Sequence, residues 1–153
     1  MRLRRRERAC SMRNRARATI WAYAILGASA IHAQPASPSH CRPGAVARHS
    51  SRGLAYEVTG CGPALLLLHG FSADRRMWRD LVPTWRLHAR VVLVDLKSHG
   101  ASAMAASDED PVDELLAVLR DEQLDTVAIV GHSAGAALAV ELAARAPSRI
   151  SAL

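Results

Sequence analysis

Residues 131–135, with the sequence GHSAG, have the residue types and spacing of a nucleophilic serine in a tight turn. A serine in such a turn lies in strained backbone geometry with its hydroxyl exposed, so the residues around it must be small. Gly131 and Gly135 meet that requirement, and the Ala-rich stretch after them predicts a helix whose free N–H groups point to the same place. We therefore take Ser133 as the candidate nucleophile for acyl-transfer chemistry. The alternative is an incidental serine in a glycine-containing turn.

The elements that must position Ser133 follow from apolar runs that alternate with helical periodicity. Short continuous apolar runs predict strands that are buried on both faces. Proline and acidic residues before an i, i+3, i+4, i+7 pattern predict the start of an amphipathic helix. The predicted strands are 54–59, 64–68, 91–94 and 127–130, with a further apolar run from residue 150. The predicted helices are 74–87, kinked or split at Pro83, a helix that begins at Pro111, and 134–146.

Strands and helices that alternate at this spacing predict an α/β fold, with a mostly parallel sheet and helices on both faces. Two further motifs follow predicted strands: His-Gly-Phe at residues 69–71 and DLKSHGAS at residues 95–102. Together with the GHSAG nucleophile elbow, their order and separation resemble the α/β-hydrolase fold family, in its serine-nucleophile branch. The resemblance covers about residues 53–153, the N-terminal half of that fold, so the fold is expected to be truncated after the nucleophile helix. Lys97 and Ser98 stand where the family usually has Arg-Gly, and Ala136 stands where a second glycine often follows.

The resemblance assigns roles to individual residues of this chain. Ser133 is implied to be the nucleophile, and the backbone N–H groups of Phe71 and Ala134 to form the oxyanion hole. His69 is expected to shape the oxyanion turn and not to act as the base. Asp95 is expected to brace the loop that follows its strand by accepting hydrogen bonds from turn amides.

The remaining members of a catalytic triad are not found after Ser133. In this fold the chain order is serine, then acid, then histidine. All seven histidines precede Ser133, and the one acidic residue after it, Glu141, lies in the predicted helix. Two interpretations stay open: a serine hydrolase that cleaves ester, thioester or amide bonds through a seryl intermediate, or a truncated, catalytically inactive hydrolase fragment. A third, an exported binding module, does not explain a strained serine. We expect residues 1–153 alone to show little turnover.

The charge of the chain is concentrated at its N-terminus. The formal net charge is +6, but residues 1–33 hold eight arginines and one acidic residue, and the other 120 residues carry a net charge of −1. An arginine-rich segment, a short apolar run from residue 18 to 31 and small residues before Gln34 predict a signal peptide over residues 1–33. Cleavage is expected after Ala33 or Ala30, and Met12 is an alternative start. A nucleic-acid-binding arm is the other interpretation, but no aromatic residues lie among the arginines.

The expected organisation is a signal peptide at 1–33, a Pro/Ser linker at 34–44 and the N-terminal part of an α/β-hydrolase domain at 45–153. Export would leave Cys41 and Cys61, for which a disulfide is possible. We expect no metal, no cofactor, no nucleic-acid partner and no stable membrane anchor. A small-molecule, ester-like substrate is the expected partner.

Overall fold

A computed structural model describes residues 41–104 and 109–153, and these form one mixed sheet with helical segments on both faces. The predicted signal peptide and the linker up to residue 40 lie outside the described residues. The strands are β1 (Arg42–His49), β2 (Ala55–Gly60), β3 (Ala64–Leu68), β4 (Arg90–Val94), β5 (Val127–Gly131) and β6 (Ile150–Ala152). The helices are α1 (Val82–Trp85), α2 (Pro111–Asp121) and α3 (Ala134–Arg145), with 3₁₀ turns at Arg75–Trp78 and Pro147–Arg149.

The strand order is β1-β2-β4-β3-β5-β6. β4, β3, β5 and β6 are parallel neighbours, whereas β1–β2 and β2–β4 are antiparallel pairs. The register places Leu68 of β3 opposite both Val94 of β4 and Gly131 of β5. The carboxyl ends of these three strands therefore lie side by side. Ligands bind outside the carboxyl ends of the strands in open α/β sheets.

Each face of the sheet has its own apolar cluster, because successive side chains of a strand point to opposite faces. One cluster joins Leu66, Val92 and Ile129 of the strands to buried residues of α2 and α3. The other joins Leu67, Val91 and Leu93 to Trp78, with Val82 and Trp85 of α1 packed against it. The predicted α/β class, with a mostly parallel sheet and helices on both faces, is confirmed.

Two boundaries differ from the sequence-based expectation. The predicted linker is too long, because β1 begins at Arg42 and pairs with β2. The helix predicted over residues 74–87 is two short pieces, a 3₁₀ turn and α1, with Pro83 in the first turn of α1. Pro83 has no N–H to donate, so a continuous helix cannot pass through it.

Cys41 and Cys61 form a disulfide, with their Cα atoms 4.6 Å apart. The bond joins the chain just before β1 to the turn between β2 and β3. Within the described residues, no helix has the length and apolar character that crossing a membrane would require.

Candidate active site

Ser133 lies at the junction of β5 and α3, with φ 52° and ψ −116°. A positive φ is costly for a residue with a side chain, and such strain concentrates at functional sites. The side chain is exposed and caps no N–H of α3. The first turn of α3 is held instead by backbone bonds, from the Ala136 amide (2.9 Å) and the Ala137 amide (3.2 Å) to the Ser133 carbonyl. The hydroxyl is therefore presented at the helix N-terminus, and it has no hydrogen-bond partner among the described residues.

Glycines allow the backbones around Ser133 to approach closely. A Cβ atom at Gly131 would lie 2.6 Å from the Cα atom of Ala136, and one at Gly135 would lie 2.5 Å from the His69 carbonyl oxygen. Both distances are shorter than real Cβ contacts allow. The close backbone contacts at these two positions therefore explain why the residues there must be small.

Gly70 brings the loop after β3 against Ser133, which the sequence motif alone did not indicate. A Cβ atom at Gly70 would lie 2.8 Å from Nδ1 of His132 and 3.3 Å from Cβ of Ser133. A larger residue at this position would push the two loops apart. The signal that could have found it is the glycine that follows His69 at the end of a buried strand.

The two amides named as oxyanion donors belong to these adjoining loops. Within residues 41–104 and 109–153, neither the Phe71 nor the Ala134 backbone N–H donates a hydrogen bond. The turn that contains Phe71 is closed by a bond of 3.2 Å from the Ala73 amide to the Gly70 carbonyl. Unsatisfied donors are expected at the first turn of a helix and are suited to bind an anion.

His69 is fully buried, and both of its ring nitrogens are engaged in the fold. Nδ1 donates to the Gly70 carbonyl (2.8 Å), and Nε2 accepts from the Leu96 amide (2.9 Å). The hydrogen bonds therefore assign the tautomer with the proton on Nδ1. His69 links the loops after β3 and β4, in agreement with the expected structural role, and no ring nitrogen is left to act as a base.

Asp95 is the second buried polar residue at this edge, with a relative exposure of 1%. Its carboxylate accepts hydrogen bonds from the Arg75 amide (2.7 Å) and the Ala101 amide (2.8 Å), and forms an ion pair with the Arg75 guanidinium. Its carbonyl accepts from the Ser102 hydroxyl (2.5 Å). Asp95 braces the loop after β4, as the sequence predicted.

His99 extends the loop after β4 towards the candidate oxyanion turn. Its Nδ1 lies 2.7 Å from the Lys97 carbonyl oxygen, and its ring contacts the edge of Phe71 with a centroid separation of 5.8 Å. The Phe71 side chain is otherwise 80% exposed. Among the described residues, no hydrogen bond joins an imidazole to Ser133.

Lys97 anchors the same loop to α2, which sequence reasoning missed. Its ammonium group lies 2.9 Å from Glu109 Oε2 and 3.2 Å from Glu114 Oε1, and hydrogen bonding to Glu109 raises the pKa of Lys97. Burial is the main cause of a raised pKa at Glu114, which has a relative exposure of 2%. The signal that could have found this anchor is the lysine that stands in place of the usual arginine.

Metal ligation has no candidate site in the part of the chain that the structure describes. No group of three or more His, Cys, Asp or Glu side chains is arranged there to hold an ion. The buried polar side chains of His69 and Asp95, at the carboxyl ends of the strands, instead form hydrogen bonds with the loops.

The strand–turn–helix geometry and the three adjoining loops are typical of the α/β-hydrolase fold. Comparisons with known proteins agree with this assignment of the fold. The alpha/beta hydrolase family profile matches residues 65–153. The chain is 35% identical over 94 residues to a pimeloyl-[acyl-carrier protein] methyl ester esterase of Nitrosomonas europaea, covering 61% of this chain and 36% of that protein. It is 34% identical over 90 residues to the magnesium-chelatase 30 kDa subunit of Rhodobacter capsulatus, covering 56% and 32%.

A solved structure, the epoxide hydrolase from an endophytic Streptomyces, superposes with a TM-score of 0.65 at 28% identity, covering 71% of this chain and 35% of that one. The chain belongs to the alpha/beta hydrolase family. It spans about a third of the length of these relatives.

Proposed function

We propose that this protein is a serine hydrolase that cleaves ester, thioester or amide bonds of a small-molecule substrate through a seryl intermediate. Ser133 is the nucleophile, and the backbone N–H groups of Phe71 and Ala134 stabilise the oxyanion. The observation that carries the proposal is the backbone of Ser133, held at φ 52° with its hydroxyl exposed at the N-terminus of α3. The epoxide hydrolase and esterase names among similar proteins support hydrolysis in general, and the seryl intermediate rests on the residue at position 133.

The chemistry follows from the arrangement of the two loops. Attack of the Ser133 oxygen on a carbonyl carbon places negative charge on the carbonyl oxygen, and two preorganised N–H donors stabilise that charge. Removal of one such donor typically costs about 10² to 10³ in rate. The attack also needs a base to accept the hydroxyl proton. His69 is excluded from that role by its two hydrogen bonds, and no other imidazole of the described residues is hydrogen-bonded to Ser133. The base and its orienting acid are therefore proposed to come from outside the described residues.

The test is labelling by a fluorophosphonate probe of the protein isolated from its natural host. Labelling should occur at Ser133 and be lost in Ser133→Ala. Ser148→Ala is the matched control, because Ser148 is exposed but lies outside the GHSAG turn. Labelling that persists in Ser133→Ala, with a peptide map pointing to another serine, would refute the assignment.

The inactive-fragment alternative has a separate readout. Residues 1–153 alone should show no Ser133-dependent turnover of p-nitrophenyl acetate, since losing a triad member removes most of the rate enhancement. Turnover by residues 1–153 that disappears in Ser133→Ala would show that these residues themselves supply the base.

We also propose that the protein is exported. The Arg-rich and apolar residues 1–33 support this, and so does the Cys41–Cys61 disulfide, because disulfides persist mainly in oxidising compartments. Mass spectrometry of the exported protein should find an N-terminus near Ile31 or Gln34. A cytosolic product that retains Met1 and its arginines would contradict the proposal.

A further inference from the structure

A groove of about 430 Å³ lies beside β1, β2 and β4, away from Ser133. Leu93 and Val82 line it, and both belong to the apolar cluster on the face opposite α3. In the strand order, β2 and β5 are three positions apart, which corresponds to roughly 14 Å across the sheet. The groove is therefore separate from the candidate active site.

Thr59 on β2 leaves a buried polar atom unsatisfied in the wall of this groove. The residue has a relative exposure of 1%, and its Oγ1 has no hydrogen-bond partner within residues 41–104 and 109–153. Leaving a buried hydroxyl unpaired costs about 1–3 kcal/mol, so native structures rarely contain one without a reason. A ligand atom in the groove would provide the missing partner.

The lining of the groove also contains four arginines, which are Arg75, Arg76, Arg79 and Arg86. Of Arg75, Arg76 and Arg79, Arg79 has the weakest ion pair. Its side chain is 80% exposed, and its partner is the adjacent, 88% exposed Asp80 at 3.5 Å. Exposed pairs of this kind contribute little. Arg75 is fixed by its ion pair with Asp95, and its Nε lies 3.8 Å from Glu57 Oε2, beyond hydrogen-bond distance.

Apart from Glu57, the remaining lining residues are apolar, and they limit the kind of molecule that fits. Val82, Pro83 and Leu93 provide a hydrocarbon surface within the groove. Glu57 is the one acidic residue in the lining, so it disfavours ligands of high negative charge. The volume of the groove lies within the range of about 300–1,000 Å³ that is common for small-molecule sites.

We propose that this groove is a second binding site, for a small organic oxyanion with a short apolar body. A carboxylate or a phosphate monoester places its oxygens on Arg79 and the Thr59 hydroxyl, and its hydrocarbon part lies on Leu93, Val82 and Pro83. Guanidinium groups suit both anions. The site uses no atom of Ser133, so binding is independent of the proposed hydrolase activity.

The test is a calorimetric or NMR titration of the Ser133→Ala protein with hexanoate and hexyl phosphate, with hexanol as the neutral probe of equal chain length. Either anion should bind with an affinity that falls as salt is added, and hexanol should bind at least about tenfold more weakly. The anion that binds with the higher affinity identifies the preferred head group. Equal binding of hexanol and both anions would overturn the proposal.

Three variants assign the binding to the groove. Arg79→Gln should weaken anion binding by about tenfold, and Thr59→Val, which keeps the shape of the side chain, by about fivefold. Glu57→Gln should strengthen it by about threefold because it removes an opposing charge, whereas mere damage to the fold would weaken it. Arg120→Gln, an exposed arginine on α2, is the matched control. Equal effects of Arg79→Gln and Arg120→Gln would show that the anion binds elsewhere.

Discussion

Three serines with positive φ lie in the loops that follow the three neighbouring strands at the carboxyl edge of the sheet. They are Ser72 (φ 62°) after β3, Ser98 (φ 62°) after β4 and Ser133 (φ 52°) after β5. Backbone strain of this kind costs about 1–3 kcal/mol per residue and is retained where the surrounding structure holds it in place. Within the described residues, the one other non-glycine residue with positive φ is Gln123 (φ 54°), before β5, so this strain lies mainly at the carboxyl ends of the three strands.

Gly135→Ala tests how tightly Ser133 is held. Alanine is normally favoured over glycine in a helix by about 1 kcal/mol. Here, however, the new methyl group would collide with two backbone carbonyl oxygens, that of Leu68 at the end of β3 and that of His69 in the loop that follows it. We expect a net destabilisation of at least about 2 kcal/mol in a urea titration. Gly44→Ala is the control, because a Cβ at Gly44 has no atom within 4 Å; equal effects of the two variants would contradict the packing argument.

At the residue scale, the sequence was most informative where chemistry demands one residue type. Ser133, Gly131 and Gly135 could be predicted because only small residues permit so tight a turn. The Phe71–His99 ring contact and the close approach of Gly70 could not, since both depend on how two loops from different strands meet.

Among the elements, the buried strands were predictable and the edge strand was not. ALLLL in β3 and VVLV in β4 are continuous apolar runs that suit burial on both faces. β1 has the sequence RPGAVARH, without alternation and with a proline and a glycine that usually indicate a turn. Such residues are tolerated at the edge of a sheet, where one side of the strand has no pairing partner. Only pairing with β2 reveals it as a strand.

The anchor between α2 and the loop after β4 predicts a pH dependence. Burial raises the pKa of Glu114 above its ordinary value of 4.5, so the folded protein binds this proton more tightly than the unfolded chain does. The free energy of unfolding contributed by Glu114 is therefore greatest below pH 4.5 and falls as the pH rises from 4.5 through the raised pKa.

Glu114→Gln should remove this part of the pH dependence, so that stability falls less between pH 4 and pH 8 than in the wild type. Urea midpoints across that range provide the measurement. Glu141→Gln is the control, because the Glu141 side chain is 58% exposed. If the urea midpoint changed with pH by the same slope in the wild type and in Glu114→Gln, the prediction would be contradicted.

At the scale of the whole molecule, the Cys41–Cys61 disulfide closes a loop between residues 20 positions apart. A cross-link of that span stabilises a fold by about 3 kcal/mol, mainly by restricting the unfolded chain. We expect the double variant Cys41→Ser, Cys61→Ser to lose about that much in a urea titration. Wild-type protein measured with a reducing agent should reproduce the loss, whereas unchanged midpoints in both experiments would show that the cross-link does not stabilise the folded protein.

The same bond changes what a protease can do to this protein. Arg52 lies exposed in the turn between β1 and β2, inside the closed loop, and is a natural site for trypsin. A cut there divides the polypeptide in two, yet the piece that contains β1 stays covalently attached through Cys41. The nicked protein should therefore keep its mass, apart from one added water, until the disulfide is reduced, and should separate into two bands on a gel only afterwards.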